Sequence, residues 1–321
     1  MRAIRYPRFG PADVLEVVDV DAPEPAAGEV KVRVAAASLN PLDWKIRDGH
    51  LRLVPVLARP PRGTGTDFAG EIVAVGGGPG PRHVGERVFG SLSPLGRQGS
   101  CAEFVTAPAG HVAPIPAALS FDEAATLPVA GGTAVQALAD DAPLAAGQRV
   151  LVTGGAGGVG HFAVQYAKHL GAHVTATCSA SNVDFVTALG ADRVLDYTRT
   201  DVLACGETFD VVFDAVNALD WRRARALLAP RGTYLGTAGS TTAAIRTGIG
   251  AALSAFGGGI RVRNLMLRAD ATSLARLASL AGAGALRPHV ARRVGLDGVR
   301  DAQRDMERGH GRGKIVVVPG K

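Results

Sequence analysis

The sequence predicts an α/β protein in which a doubly wound parallel sheet follows a β-rich, barrel-like unit. Three observations carry that expectation. Short strands with Gly/Pro turns fill the first 120 residues. Strand–helix alternation then runs for about 120 residues. A glycine cluster stands between the first strand of that alternation and its helix.

Composition narrows the class. A length of 321 residues suits two domains of roughly 100–200 residues each. Hydrophobic residues are 47% and charged residues 20%, which excludes a disordered chain. The net charge is +6, and only five of the 35 basic residues are lysines. These residues are dispersed, with small clusters at Arg222/Arg223/Arg225 and Arg292/Arg293. That pattern suits a small anionic ligand better than nucleic acid. Cys101, Cys178 and Cys205, with no CxxC pair, exclude a disulfide framework and a four-cysteine zinc site. The N-terminus carries no apolar signal-peptide core. The charge-free run Val150–Ala167 is broken by glycines and His161, which is poor for a membrane helix. A soluble, cytoplasmic protein is expected.

The elements follow in order. Val30, Val32 and Val34 alternate with charged neighbours, the period of a half-buried strand. Short strands are predicted at Glu71–Val75, Arg87–Phe89 and Ala102–Thr106, divided by turns such as the Gly/Pro run after Val75. Phe121–Leu138 reads as helix interrupted at Pro128. Arg149–Thr153 is a continuous apolar strand of a parallel sheet. Val159, Phe162, Ala163, Tyr166, Ala167 and Leu170 recur at helical spacing, and Gly171 ends that helix. Strands are expected at His173–Cys178, Arg193–Asp196, Asp210–Phe213 and Thr233–Ala238, with helices ending at Leu189 and Ala229. The tail Gly313–Val318 is a final strand.

The loop Thr153–Gly160 contains Gly155-x-Gly157-x-x-Gly160. A lone GxGxxG is weak, but this one follows a buried strand and opens a helix, as a dinucleotide loop must. Gly155 is expected to make the tight turn, Gly157 to admit a pyrophosphate and Gly160 to let helix pack on strand. Gly158 and Val159 complete the loop, where the helix N-terminus offers N–H donors to phosphate. NAD loops usually place an acid about 20 residues on, at the end of the second strand. Here Ser179, Ser181 and Asn182 stand there instead. These residues tolerate a 2′-phosphate, so NADPH is the expected cofactor; they also suit a helix cap.

In this order the motifs resemble the zinc-independent quinone oxidoreductase branch of the medium-chain dehydrogenase/reductase superfamily. The similar segments are Ser38–Lys45 with its Asn40-x-x-Asp43, Gly65–Gly70, Val84–Gly90, Leu127–Thr133, Leu189–Asp192 and Gly311–Ile315. The resemblance spans essentially the whole chain. It implies a GroES-like barrel domain, residues 1–121 and 287–321, and a Rossmann domain, residues 122–286. The zinc-ligand positions of the superfamily's alcohol dehydrogenases fall on Asn40, Thr66 and Val129, so no metal is expected. The resemblance implies hydride transfer from NADPH to a quinone or an α,β-unsaturated carbonyl compound, and a homodimer.

The resemblance also assigns residues. Asn40 and Asp43 border the nicotinamide and the cleft, although Asn-Pro-Leu-Asp is equally a turn sequence. Lys45 is a cation for a developing oxyanion, or a solvated side chain. Thr133 meets the nicotinamide, and Tyr197 lies near the 2′-phosphate. Asp67 serves structure, and the cysteines are small packing residues. His310 precedes the last strand. Arg261, Arg263 and Arg268 read as surface. The only tyrosine before residue 166 is Tyr6, which favours solvent or Lys45 as proton source over a tyrosine. Two alternatives stand: a dedicated enoyl double-bond reductase, and a crystallin-like protein that binds NADPH or RNA without turnover.

Overall fold

The computed structural model describes residues 1–50, 59–78, 80, 82–237, 251, 259–309 and 311–320. His310, Ala238 and most of the segments 51–62 and 241–267 lie outside the described residues.

The front of the chain supplies β1 (Arg2–Tyr6), β2 (Glu16–Asp19), β3 (Glu29–Ser38), α1 (Pro41–Arg47), β4 (Arg62–Gly63), β5 (Asp67–Val75), β6 (Arg87–Ser91), β7 (Phe104–Pro108) and β8 (Val112–Pro114). A helical stretch follows, with α2 (Phe121–Ala125) joined to α3 (Gly132–Gln136) through a π-turn at Leu127–Gly131, and a second π-turn, Ala137–Asp141, continuing from α3. The alternating segment holds β9 (Arg149–Thr153), α4 (Gly160–His169), β10 (His173–Cys178), α5 (Val183–Ala188), β11 (Arg193–Asp196), β12 (Phe209–Asp214), α6 (Trp221–Ala224), β13 (Leu228–Thr237) and β14 (Arg261–Leu265). The tail adds α7 (Ala271–Gly282), β15 (Val290–Val294), α8 (Val299–Glu307) and β16 (Lys314–Val317).

β9 to β14 form one parallel sheet in the order β11-β10-β9-β12-β13-β14. Strand order therefore reverses between β9 and β12, the crevice where a doubly wound sheet binds ligands. The front sheet runs β15-β16-β3-β5-β6-β8, with β7 also on β3. The last strand, β16, thus returns to lie antiparallel to β3 and brings Val316 opposite Ser38. A small sheet, β2-β1-β4, flanks it.

The parallel strands are apolar throughout because both faces are covered; Val150, Leu151 and Val152 are fully buried. α4 is buried from Gly160 to Ala167, so its apolar spacing marks a helix enclosed on every side and not a surface stripe. Three sequence expectations shift. The strand read as Ala102–Thr106 lies at Phe104–Pro108, with Ala102 left as a single bridge to Ala3. The helix read as far as Ala229 ends three residues after Ala224, and the chain is already extended from Leu228. Pro230 falls inside β13, where a register shift and a positive φ at Arg231 accommodate it. Asn40-Pro-Leu-Asp opens α1 rather than a bare turn, because Asn40 N–H donates to the Asp43 carboxylate at 2.7 Å and Pro41 needs no donor at its position. Among the described residues no helix is long and apolar enough to cross a membrane.

Candidate functional site

A cavity of about 490 Å³ opens at the carboxyl ends of β9, β10 and β12. Thr153, Gly154 and Gly157 line it from the glycine loop, and Ser179, Asn182 and Tyr197 from the far end. Its opposite wall includes Val216 and Ala218. Asp214 holds that wall. Fully buried, it accepts from Thr153 Oγ1 at 2.6 Å and from the backbone N–H groups of Ala218 and Leu219 at 3.0 and 2.8 Å.

The glycines divide the work differently from the sequence expectation. Gly154, at φ +63°, makes the tight turn assigned to Gly155. Gly155 is needed for contact: a Cβ there would lie 2.9 Å from the Ala176 Cβ. At Gly160 a Cβ would stand 2.1 Å from Gly154 O, so the helix start packs onto the loop itself. Gly157 faces the cavity, and its Cβ position meets only Gly154 O, at 3.2 Å. Gly158 and Val159 carry the loop into α4 without lining the cavity.

Beneath the loop lies a residue to which the sequence reading assigned no role. The His161 ring is buried, with Nδ1 2.9 Å from Gly157 O and Nε2 3.4 Å from the His289 N–H. A carbonyl only accepts, so Nδ1 carries the proton and Nε2 is the acceptor. Burial pulls its pKa down to about 4, and the ring is neutral at neutral pH.

At the far end, Ser179 Oγ accepts from Asn182 Nδ2 at 3.0 Å. Asn182 Oδ1 in turn accepts from Arg312 Nε at 2.9 Å. The Arg312 guanidinium also donates to Ser181 O at 3.0 Å and lies over the Phe185 ring. Tyr197 stands half exposed on the rim. β10 ends without a carboxylate. Asp201, which does line the cavity, has its Oδ1 on Leu203 N–H at 3.0 Å.

A second polar group lies where α1, β5 and β16 meet. Asn40 is 2% exposed; its Nδ2 donates to Asp67 Oδ2 at 2.8 Å and its Oδ1 accepts from Lys314 Nζ at 2.5 Å. Lys314 also donates to Leu39 O at 2.7 Å and stands 3.9 Å from Asp67 Oδ2. Asp67 accepts further from Ser38 Oγ and, at 3.2 Å, from Val129 N–H. That N–H belongs to the π-turn Leu127–Gly131, which also contains Pro128. Burial lifts Asp67 to about 6, against the pull of the Lys314 ammonium. Burial lifts Asp43 to about 7, opposed by the Asn40 N–H bond. Burial lowers the pKa of Lys314 in turn.

The structure therefore brings together Asn40, Asp43 and Asp67, and adds Lys314, seen in the sequence only as part of the Gly311–Ile315 segment. Lys45 is not the cation on Asn40: its Nζ lies 5.6 Å from the centre of the Trp44 ring. Thr133 is buried on α3 and, like Asn40, does not line the cavity. Asp67 is the structural hub expected of it. Arg261, Arg263 and Arg268 are exposed, and all three cysteines are buried and free.

Residues 26–117 match the family model of the alcohol dehydrogenase GroES-like domain, and residues 189–317 match that of a zinc-binding dehydrogenase. A chloroplast envelope quinone oxidoreductase homolog of Arabidopsis thaliana is 44% identical over 230 residues, 68% of this chain and 69% of that one. The chloroplastic quinone-oxidoreductase QR1 of Triphysaria versicolor is 33% identical and covers 99% of this chain and 98% of its own. The chain belongs to the quinone oxidoreductase branch of the medium-chain dehydrogenase/reductase superfamily. It is an oxidoreductase. Other members are similar over most of their length. The trans-enoyl reductase pgmF of Aspergillus terreus is 34% identical across 90% of this chain and 86% of its own. The quinone oxidoreductase structure from Coxiella burnetii superposes with a TM-score of 0.89 at 33% identity over 99% of both chains. That of Escherichia coli quinone oxidoreductase complexed with NADPH gives 0.87 at 27% identity over 99% of this chain and 100% of that one.

The zinc of the matched model's description does not fit the donors here. Asn40, Thr66 and Val129 do converge, with Asn40 Nδ2 3.5 Å from Thr66 Oγ1 and Val129 N–H on Asp67. An amide, a hydroxyl and an aliphatic side chain are not a zinc shell, and the Lys314 ammonium lies against the same group. Among the described residues no cluster of three or more His, Cys, Asp or Glu is placed to hold a metal ion.

Proposed function

We propose that the chain is an NADPH-dependent, zinc-free reductase of quinones or α,β-unsaturated carbonyl compounds. The observation that carries this reading is the far end of the cavity. Ser179, Asn182 and Tyr197 line it there, the Arg312 guanidinium holds Asn182 from behind, and β10 ends without a carboxylate, a setting for a 2′-phosphate. Gly157 then receives the pyrophosphate on the loop, while Gly155, Gly158, Val159 and Gly160 shape that loop and the N-terminus of α4 around it. Thr133 and Asn40 belong to the nicotinamide end. When bound, NADPH supplies hydride; the chain supplies orientation. Asn40 and Asp43 fix the cleft edge. Lys45, or solvent, delivers the proton to the reduced acceptor; burial lowers the pKa of Lys45, which eases its release of a proton.

The test is NADPH oxidation against a panel of quinones, enals and enones, with NADH in parallel. Turnover with NADPH well above NADH is expected. Tight NADPH binding with no acceptor reduced would leave the crystallin-like alternative. The similarity to a trans-enoyl reductase supports the second enzymatic reading, a dedicated enoyl reductase; activity confined to enoyl acceptors would select it.

The division into residues 1–121 with 287–321, and 122–286, draws support from the pairing of β15 and β16 with the front sheet. Limited proteolysis tests it. A homodimer and a cytoplasmic location rest on the resemblance and on the sequence reading. Sedimentation and cell fractionation test those.

A further inference from the structure

The run 312–314 touches three places along the proposed cofactor path. Arg312 holds Asn182 and Ser181. Gly313 N–H donates to Ala156 O of the glycine loop at 2.8 Å. Gly313 has φ +58° and its Cβ position lies 2.3 Å from His289 O, so only glycine permits this approach. The stem of Lys314 then passes the loop, where a Cβ on Gly158 would stand 3.2 Å from Lys314 Cδ. Beyond the loop its ammonium ends on Leu39 O and Asn40 Oδ1.

The carboxamide of Asn40 has one stable orientation in that setting. Its oxygen meets an ammonium, and its nitrogen meets the Asp67 carboxylate. The flipped amide would set N–H against ammonium and oxygen against carboxylate, with all three side chains buried. Two opposite charges therefore pin one amide, and one of them is anchored beside the glycine loop.

We propose that Lys314 is a positioning residue: it acts through Asn40, locks the start of α1 against the glycine loop, and so keeps the acceptor side of the cleft in register with the bound cofactor. The inference rests on the proposed NADPH reductase reading, and one of its readouts does not depend on turnover.

The experiment compares the parent with Lys314→Met, Asn40→Ala and the double variant. Hydrogen exchange at residues 39–43 is followed by mass spectrometry with and without saturating NADPH. Lys314→Met should exchange at least tenfold faster there, and NADPH should no longer slow it although the cofactor still binds within about threefold of the parent affinity. With an accepted quinone or enone, kcat should fall at least tenfold, since small misplacements of reacting groups cost about that much or more. In the Asn40→Ala background, Lys314→Met should cost less than threefold further. Equal losses in both backgrounds, or parent-like exchange at 39–43, overturn the proposal. A parent that reduces no acceptor overturns the reductase reading instead, and the exchange data still decide the role of Lys314. Should Lys314→Met not fold, Lys314→Met/Asp67→Asn removes the buried charges together and is compared with Asp67→Asn alone under the same criteria.

Discussion

Arg312 Nε donates to Asn182 Oδ1 at 2.9 Å, and this turns the Asn182 amide nitrogen onto Ser179 Oγ. A residue of the C-terminal tail thereby shapes the far end of the cavity. Removing the guanidinium should discriminate between cofactors. Arg312→Ala is expected to weaken NADPH by about 10- to 100-fold, the worth of a charge-assisted bond, and to leave NADH within a few-fold. Ser179→Asp should act in the same direction and favour NADH. Fluorescence titration of both cofactors checks this; equal losses for the two would remove the 2′-phosphate assignment.

Two glycines three residues apart should fail in different ways. Gly160→Ala puts a Cβ against Gly154 O, so its cost is to the fold: a lower Tm, by roughly 1–3 kcal/mol of stability. Gly157→Val has more room in the protein and projects toward the cavity. It should keep most of its thermal stability while its NADPH dissociation constant rises at least tenfold. Melting curves paired with titrations separate the two.

Asp43 and His161 should pull stability in opposite directions with pH. Burial raises Asp43 from 3.8 to about 7 in the folded chain. The folded state holds that proton where the unfolded state has lost it, so this contribution is greatest in acid and declines as pH rises from about 4 to about 7. Asp43→Asn should flatten that decline, by on the order of 1–2 kcal/mol at pH 8, since Asp67 and Lys314 share the titration. Denaturant unfolding of variant and parent from pH 5 to 8 measures the difference; parallel curves would refute it.

His161 works the other way. Its pKa falls from 6.5 to about 4 on folding, so its contribution is complete above about 6.5 and is lost as pH drops toward 4. A second proton at Nε2 would face the His289 N–H. His161→Asn retains a donor for Gly157 O without the titration. It should keep NADPH binding within a few-fold and reduce the acid loss of stability, whereas His161→Leu should weaken NADPH binding about tenfold as well. An unchanged acid limb in His161→Asn would rule this out.

Asn40→Ala is expected to disturb more than turnover. The side chain is buried between Lys314 and Asp67, so truncation strands both and should cost about 1–3 kcal/mol of stability. Its kinetics are therefore read beside its melting curve, at a temperature where the variant remains folded.

The alternating sheet, the glycine loop and the missing acid at the end of β10 were legible in the sequence, because each depends on neighbours within a few residues. A buried parallel strand must be apolar at every position, and a loop that turns sharply against phosphate must lack side chains. Local signals also set errors. Pro230 ended a helix on paper, yet β13 absorbs it through a register shift that depends on Phe209 and Val211 of the neighbouring strand.

What the sequence determined by itself was the fold class, the place of the glycine loop between β9 and α4, and the absence of Cys or His at Asn40, Thr66 and Val129. Tertiary structure alone decided which cation stands at Asn40. Lys45 is five residues away in the chain, but α1 directs it to Trp44. Lys314 is 274 residues away and reaches Asn40 because β16 pairs antiparallel with β3. No local spacing encodes that meeting. Once the strands close it off from water, a buried carboxylate and a buried ammonium are held together by the cost of leaving either charge unpaired.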